Sequence, residues 1–85
     1  MTETVVGQIN HYYNKIGVAV VLIHLGEIAV GDTVKFQDSS RGFQQVVSSL
    51  EVEGQPVGKV SAGEEAGMKV NEPVKAGWQV IKVVD

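Results

Sequence analysis

Short valine-rich blocks separated by glycine-containing turns are the feature that most constrains how this chain can fold. Branched and aromatic side chains favour extended backbone, and clusters of Gly, Asn, Asp and Ser favour turns. No block keeps the apolar period of about 3.6 residues that marks a helix, and the best helical candidate, residues 61–68, contains two glycines. The pattern therefore predicts an all-β fold with six strands. They are expected at residues 5–13, 18–25, 33–37, 43–52, 66–70 and 79–84.

The predicted sheet is small, and an open sheet would expose edges on which other chains can pair. Closure removes those edges, so the sequence predicts a small closed six-stranded β-barrel. The chain has 85 residues, the size of one domain, and the predicted barrel occupies residues 1–85. The adjacent valines Val46 and Val47 interrupt the alternation of their block and predict a bulge or a sharp bend. Beyond them, Glu51 and Glu53 are expected to point outward.

The turn at residues 14–17 predicts a hairpin whose second strand is apolar on both faces. Positions 18, 20 and 22 alternate with positions 19, 21 and 23, and all six are apolar. One face is expected to fill the barrel, while the other is covered by a loop, covered by a partner chain, or left exposed. A tight turn here places Gly7 opposite His24.

Two tyrosines precede this turn and must point to opposite faces of their strand. In one interpretation, an exposed Tyr12 beside Lys15 stacks on a base or docks a protein surface. In the other, Tyr13 enters the barrel mouth and Tyr12 covers the apolar outer face of the following strand. The sequence leaves both open.

No combination of residues in the sequence indicates catalysis, a metal or a cofactor. Cysteine is absent, and the two histidines, His11 and His24, are expected on the order of 13 Å apart, too far to share a metal. The serine-containing turns lack the surroundings of a nucleophile, and the paired glutamates are typical of a solvated face. The protein is therefore expected not to be an enzyme, with no metal site and no cofactor.

The charge balance bears on the class of partner. Seven Lys and Arg against ten Asp and Glu give a net charge of −3, which argues against tight binding to nucleic acid by charge alone but leaves room for a local basic face. The first residues do not have the pattern of a signal peptide, and the apolar run at 18–23 is far shorter than the roughly 20 residues of a membrane-spanning helix. A cytoplasmic protein without membrane contact is expected.

Six motifs occur in one order along the chain. They are G-Q-I at residues 7–9, I-G-V-A-V-V at 16–21, L-G-E-I-A-V-G-D-T-V at 25–34, V-S-S-L-E-V at 47–52, A-G-E-E-A-G-M-K-V at 62–70 and A-G-W-Q-V-I at 76–81. Together they resemble the second domain of translational GTPases such as elongation factor Tu and initiation factor two, which implies a six-stranded closed barrel. The sequence also looks like stand-alone translation-factor-like barrels, and like the barrel appended to certain collagenase-like peptidases, some of which act on RNA modification.

The resemblance carries specific expectations for function. A phosphate-binding loop is absent, since the pair Gly58–Lys59 is followed by valine, so no GTP is expected. In the elongation-factor family the barrel holds the 3′ adenosine of aminoacyl-tRNA through a glutamate that matches Glu51 by position. The basic residues that follow it in the family are replaced here by Glu53, Gly54 and Gln55.

Two functions from different classes follow. The first is a non-catalytic accessory β-barrel associated with the translation machinery, with tRNA, the ribosome or an RNA-modifying protein as partner. Its expected contact residues are Tyr12, Lys15, Arg41 and Glu51. The second is a structural protein–protein module without nucleic-acid contact, in which the outer strand from Val18 to Ile23 forms a homo-oligomer or docks a partner enzyme. Steep weakening of binding with rising salt would distinguish the first from the second.

Overall fold

A computed structural model describes residues 2–84, which form ten β-strands and no helix. The all-β prediction is confirmed. No helix long and apolar enough to cross a membrane occurs in this range. The strands are β1 (Thr2–Tyr13), β2 (Val18–Ile23), β3 (Glu27–Ala29), β4 (Thr33–Gln37), β5 (Gly42–Val46), β6 (Leu50–Val52), β7 (Gln55–Val57), β8 (Lys59–Ser61), β9 (Glu65–Lys69) and β10 (Gln79–Val84).

The predicted number of six strands is wrong for a local reason. The block expected at 43–52 breaks after Val46, where the chain bends, and forms β5 and β6 instead of one strand. Strands β3, β7 and β8 have three residues each and lie outside the six predicted strand segments. Three residues are too few for apolar alternation to stand out from a turn.

All strand pairs are antiparallel, and eight strands form one sheet in the order β5-β4-β10-β1-β2-β9-β6-β7, with β3 and β8 as a separate pair. The end strands β5 and β7 are not joined by backbone pairing within residues 2–84. The closed barrel predicted from the sequence is therefore not confirmed by the pairing.

A side chain connects β5 to the far end of β9. Gln45 is 6% exposed, its Nε2 donates to the carbonyl oxygen of Lys69 at 2.9 Å, and its Oε1 accepts from the backbone N–H of Asn71 at 2.8 Å. The amide thus makes the two bonds that the backbone of a neighbouring strand would make.

The core lies on the inner face of the sheet. Alternate residues of β2, namely Ala19, Val21 and Ile23, are at most 1% exposed. Their neighbours Val18, Val20 and Leu22 on the outer face are only half-buried. The chain therefore covers the outer apolar face of β2 incompletely.

A β-bulge at Asn10 sets which residues of β1 reach that outer face. Tyr12 pairs with Ala19 and Tyr13 with Val18, but beyond the bulge the register shifts by one residue and Gly7 pairs with Ile23. The predicted pairing of Gly7 with His24 is wrong, because it assumed an unbroken hairpin and the bulge adds one unpaired residue to β1.

The interpretation that placed Tyr13 in the barrel mouth and Tyr12 on the outer face is also wrong. Tyr12 packs against the core, while Tyr13 is 50% exposed on the outer face. An unbroken strand would place Tyr13 on the same face as the buried Ile9, and the bulge reverses this parity.

Candidate functional site

The structure brings together two of the four contact residues predicted from the sequence. Tyr12 and Lys15 line one cleft of about 250 Å³ at the turn between β1 and β2. Glu51 points outward from β6 into a different groove. Arg41 lies in the loop between β4 and β5, with its guanidinium carbon 5.6 Å from the ring centre of the buried Trp78. Contact of these residues with RNA stays a prediction.

The groove that contains Glu51 lies on the outer face of β2, β9 and β6 and has a volume of about 680 Å³. Val18 and Val20 provide its apolar floor. Gly67 of β9 lies between them and β6, since it pairs with Val20 on one side and with Glu51 on the other. A Cβ placed on Gly67 would meet only Val18 Cγ1, at 3.4 Å, so the missing side chain opens the groove.

The turn between β1 and β2 forms the apolar end of this groove. Tyr13 and Ile16 line it, and they are 50% and 58% exposed. The bulge at Asn10 turns Tyr13 to this face, and the ring of His11 holds it edge-on at 4.3 Å between centroids. Alternation in the sequence, read without the bulge, placed Tyr13 in the interior. The sequence analysis therefore did not predict Tyr13 as a residue of this site.

Four glutamates line the groove, and none of them forms an ion pair within residues 2–84. They are Glu51, Glu53, Glu64 and Glu65. The ion pairs of the described chain use other carboxylates, those of Glu3, Glu27, Asp32 and Asp38. The groove therefore combines an apolar floor with four carboxylates that no ion pair neutralises within residues 2–84.

Hydrogen bonds hold two of these glutamates in place. Glu65 Oε2 accepts from Asn10 Nδ2 at 2.6 Å, and Glu64 Oε1 accepts from the backbone N–H of Ser61 at 2.7 Å. One cation stands at the end of the groove: Lys69 lies two residues after Gly67 on the same face of β9, and its Nζ donates to the carbonyl oxygen of Ile16 at 3.3 Å.

Glu53 reaches the groove through a strained turn. Val52 pairs with Gln55, which leaves Glu53 and Gly54 as a two-residue hairpin loop with φ values of 53° and 78°. Two successive residues of positive φ are typical of the type I′ turn, where Asn-Gly is the common sequence. Glu53 is the only residue other than glycine with positive φ in the described range.

The groove presents carboxylates and apolar surface together. No group of three or more His, Cys, Asp or Glu residues arranged to hold a metal occurs between residues 2 and 84. The carboxylates can accept hydrogen bonds from cations, and the valine floor can bury an apolar group. The space left by the missing side chain of Gly67 is called the gap below. Gly67 was its one signal in the sequence, because an isolated glycine in an alternating strand often marks a close approach from outside.

Comparisons with known proteins locate the fold. No family model matches the sequence, and no curated protein matches it. The chain is similar to the C-terminal domain of a candidate U32 peptidase from Geobacillus thermoleovorans, with a TM-score of 0.84 and 21% identity over 94% of this chain and 92% of that one. A selenomethionine variant of that domain gives 0.82 and 20%, covering 94% and 99%. At this level of identity, the likeness shows a shared fold.

These neighbours correct the family suggested by the sequence motifs. The resemblance to the second domain of elongation factor Tu and initiation factor two is wrong, because the similar structures are a domain of a candidate peptidase. The motifs misled because they combine glycine turns with valine-rich strands, which different small β domains use for the same backbone reasons. The other resemblance, to a barrel appended to certain peptidases, agrees with these neighbours.

Proposed function

We propose that this chain is a non-catalytic accessory module that docks a segment of a protein partner in the groove at Gly67. The groove itself carries the proposal, since it combines an apolar floor on the outer face of β2 with a concave shape lined by carboxylates. Each Å² of apolar surface that a partner buries there contributes about 25 cal/mol. The structural neighbours support a module role, because the similar domain is one part of a larger protein.

Selection from an unbiased display library of dodecapeptides tests this proposal. The wild-type protein is expected to enrich a set of peptides that Gly67→Val fails to bind, because the valine fills the groove. Valine suits a strand position, and its Cβ meets only Val18.

Gly58→Val is the matched control. A Cβ at Gly58 meets nothing within 4 Å, and this glycine does not have positive φ. It should bind the selected peptides as the wild type does. If the wild type and Gly67→Val enrich the same peptides, or neither enriches any, docking in this groove is excluded.

A second candidate function, direct RNA association, rests on the cleft beside the first hairpin turn. Tyr12 and Lys15 line it, and the neighbouring cleft of about 600 Å³ is lined by Tyr12 and Lys75. Neither cleft is lined by a carboxylate. An aromatic ring beside ammonium groups suits a stacked base and its phosphate.

Fluorescence anisotropy of labelled aminoacyl-tRNA and deacylated tRNA tests this alternative at low and at physiological salt. RNA association predicts saturable binding that weakens steeply with salt and falls with Lys15→Ala. Absence of binding at low salt would remove this candidate and leave the protein-docking function.

Two further sequence predictions belong with these proposals. Closure of the sheet into a barrel is supported by the Gln45 side chain, which links β5 to the end of β9 where the strands described for residues 2–84 have no backbone pairing. A cytoplasmic location is supported by the cysteine-free composition and is tested by fractionation of cells that produce the protein.

A further inference from the structure

We infer that the partner segment seated at Gly67 carries lysine or arginine next to a bulky apolar side chain. This inference rests on the proposed docking function and adds the chemistry of the partner. It follows from the position of the carboxylates relative to the gap, from the size of the groove and from the exposed ring at its end.

Carboxylates approach the gap from two directions. Glu51 lies directly across from Gly67 on β6, roughly 5 Å away between strands. Glu65 lies two residues before Gly67 on β9 and shares its face, roughly 7 Å along the strand. A partner's apolar side chain placed over Gly67 thus has Glu51 beside it and Glu65 further along β9. Lys or Arg residues next to that side chain in the partner segment can reach both carboxylates.

The apolar part of the site has room for a large side chain. The groove volume of about 680 Å³ exceeds what one aliphatic side chain fills, and the floor of Val18 and Val20 is continuous with Ile16. The exposed ring of Tyr13 offers a face to which an arginine guanidinium or another aromatic ring binds.

The same charges disfavour other occupants. Phosphates of a nucleic acid, or an acidic peptide, would meet four carboxylates against the single ammonium group of Lys69 at the end of the groove. A second copy of this chain seated face to face would bring an identical set of glutamates against them. A basic and apolar protein segment removes the repulsion and buries the valine floor together.

The composition of the peptides selected from the display library is the first test. Peptides bound by the wild type and lost in Gly67→Val are expected to contain an excess of Lys and Arg beside Phe, Trp, Leu or Ile. Gly67-dependent peptides without that excess would overturn this inference while the docking function stands. A complete absence of Gly67-dependent peptides would overturn both.

A direct measurement then uses two synthetic labelled heptapeptides. Both have the centre Val-Phe-Val, flanked in one by two Lys-Arg pairs and in the other by four glutamines. Exposed charge pairs are individually weak, so their sum predicts roughly tenfold tighter binding of the basic peptide at low salt, with little preference left at molar salt.

Neutral variants assign that preference to the groove. The double variant Glu51→Gln with Glu65→Gln keeps the size and one acceptor oxygen of each side chain, and it should lose most of the preference. Glu72→Gln removes one exposed charge outside the groove and should keep it. Equal affinity for the two peptides, or tight binding of the basic peptide to Gly67→Val, would overturn the inference.

Discussion

Glu53 is the residue at which conformation and proposed binding oppose each other. Its φ of 53° costs a residue with a side chain about 1–2 kcal/mol relative to ordinary conformations, a cost that Gly and Asn largely avoid. Asparagine is the common residue at this position of a type I′ turn. The sequence retains a glutamate there, and its carboxylate lines the groove.

Replacing Glu53 should therefore separate stability from binding. Glu53→Asn is expected to raise the free energy of unfolding by about 0.5–1 kcal/mol and to weaken binding of the basic heptapeptide. Glu53→Gln should weaken that binding equally without the gain in stability, because it keeps the unfavourable φ. Urea denaturation and anisotropy measure the two effects, and full-strength binding by both variants would show that Glu53 does not contact the partner.

Asp38 organises the loop between β4 and β5 through its charge. Its carboxylate accepts hydrogen bonds from the backbone N–H groups of Ser40 and Arg41, each at 2.8 Å. These two bonds are the main reason that the pKa of Asp38 lies below its ordinary value, with smaller contributions from the Ser40 hydroxyl and the Arg41 charge.

The pH dependence of this loop has a definite sign. Because the folded pKa of Asp38 is lowered, its stabilising contribution is complete above the ordinary pKa of an aspartate and disappears as pH falls through the lowered value. Carbon-detected NMR titration of the carboxyl group should give the lowered midpoint. Ser40→Ala keeps the backbone donor and should leave the midpoint low, and a return to the ordinary value in that variant would show that the hydroxyl dominates.

At the scale of elements, strands marked off by turn residues could be predicted from the sequence, and features set by one extra residue or a bend could not. The bounds of β4 match the prediction, since Val34 and Phe36 alternate with polar residues within a segment bounded by turn residues. The bounds of β10 also match, although its buried residues Val80 and Ile81 are adjacent, because the glycine turn before it indicated its start. The bulge at Asn10 left no sequence signal. That single residue changed the pairing of Gly7 and placed Tyr13 in the groove, so the site was less predictable than the fold around it.

The bridge made by Gln45 was equally invisible in the sequence, because it depends on groups 24 and 26 residues away. Gln45→Leu keeps the volume but leaves the part-buried carbonyl oxygen of Lys69 and the backbone N–H of Asn71 without this partner. Each unsatisfied group costs about 1–3 kcal/mol, so the free energy of unfolding should fall by about 2–4 kcal/mol.

Gln44→Leu is the control for this change. Gln44 is the exposed neighbour of Gln45 on β5, and the same substitution there should alter the stability by less than about 0.5 kcal/mol. Chemical denaturation measures both. Equal stability of the two variants would mean that the bridge does not join β5 to β9 in solution.

At the scale of the whole molecule, the outer face of β2 raises the question of self-association, since the sequence also predicted a homo-oligomer through Val18 to Ile23. A two-fold dimer on this face sets each groove against its own copy. The apolar floor favours that contact, and the four glutamates of each copy oppose it.

Repulsion between the glutamates of the two copies should prevent dimer formation at low salt. The isolated protein is expected to sediment as a monomer there, and to associate weakly at molar salt, where the screening length falls to about 3 Å and the apolar contact persists. Val20→Lys places a cation on the floor and should abolish the association at high salt. A stable dimer at low salt that Val20→Lys dissociates would assign this face to a second copy and leave no free groove for a basic partner segment.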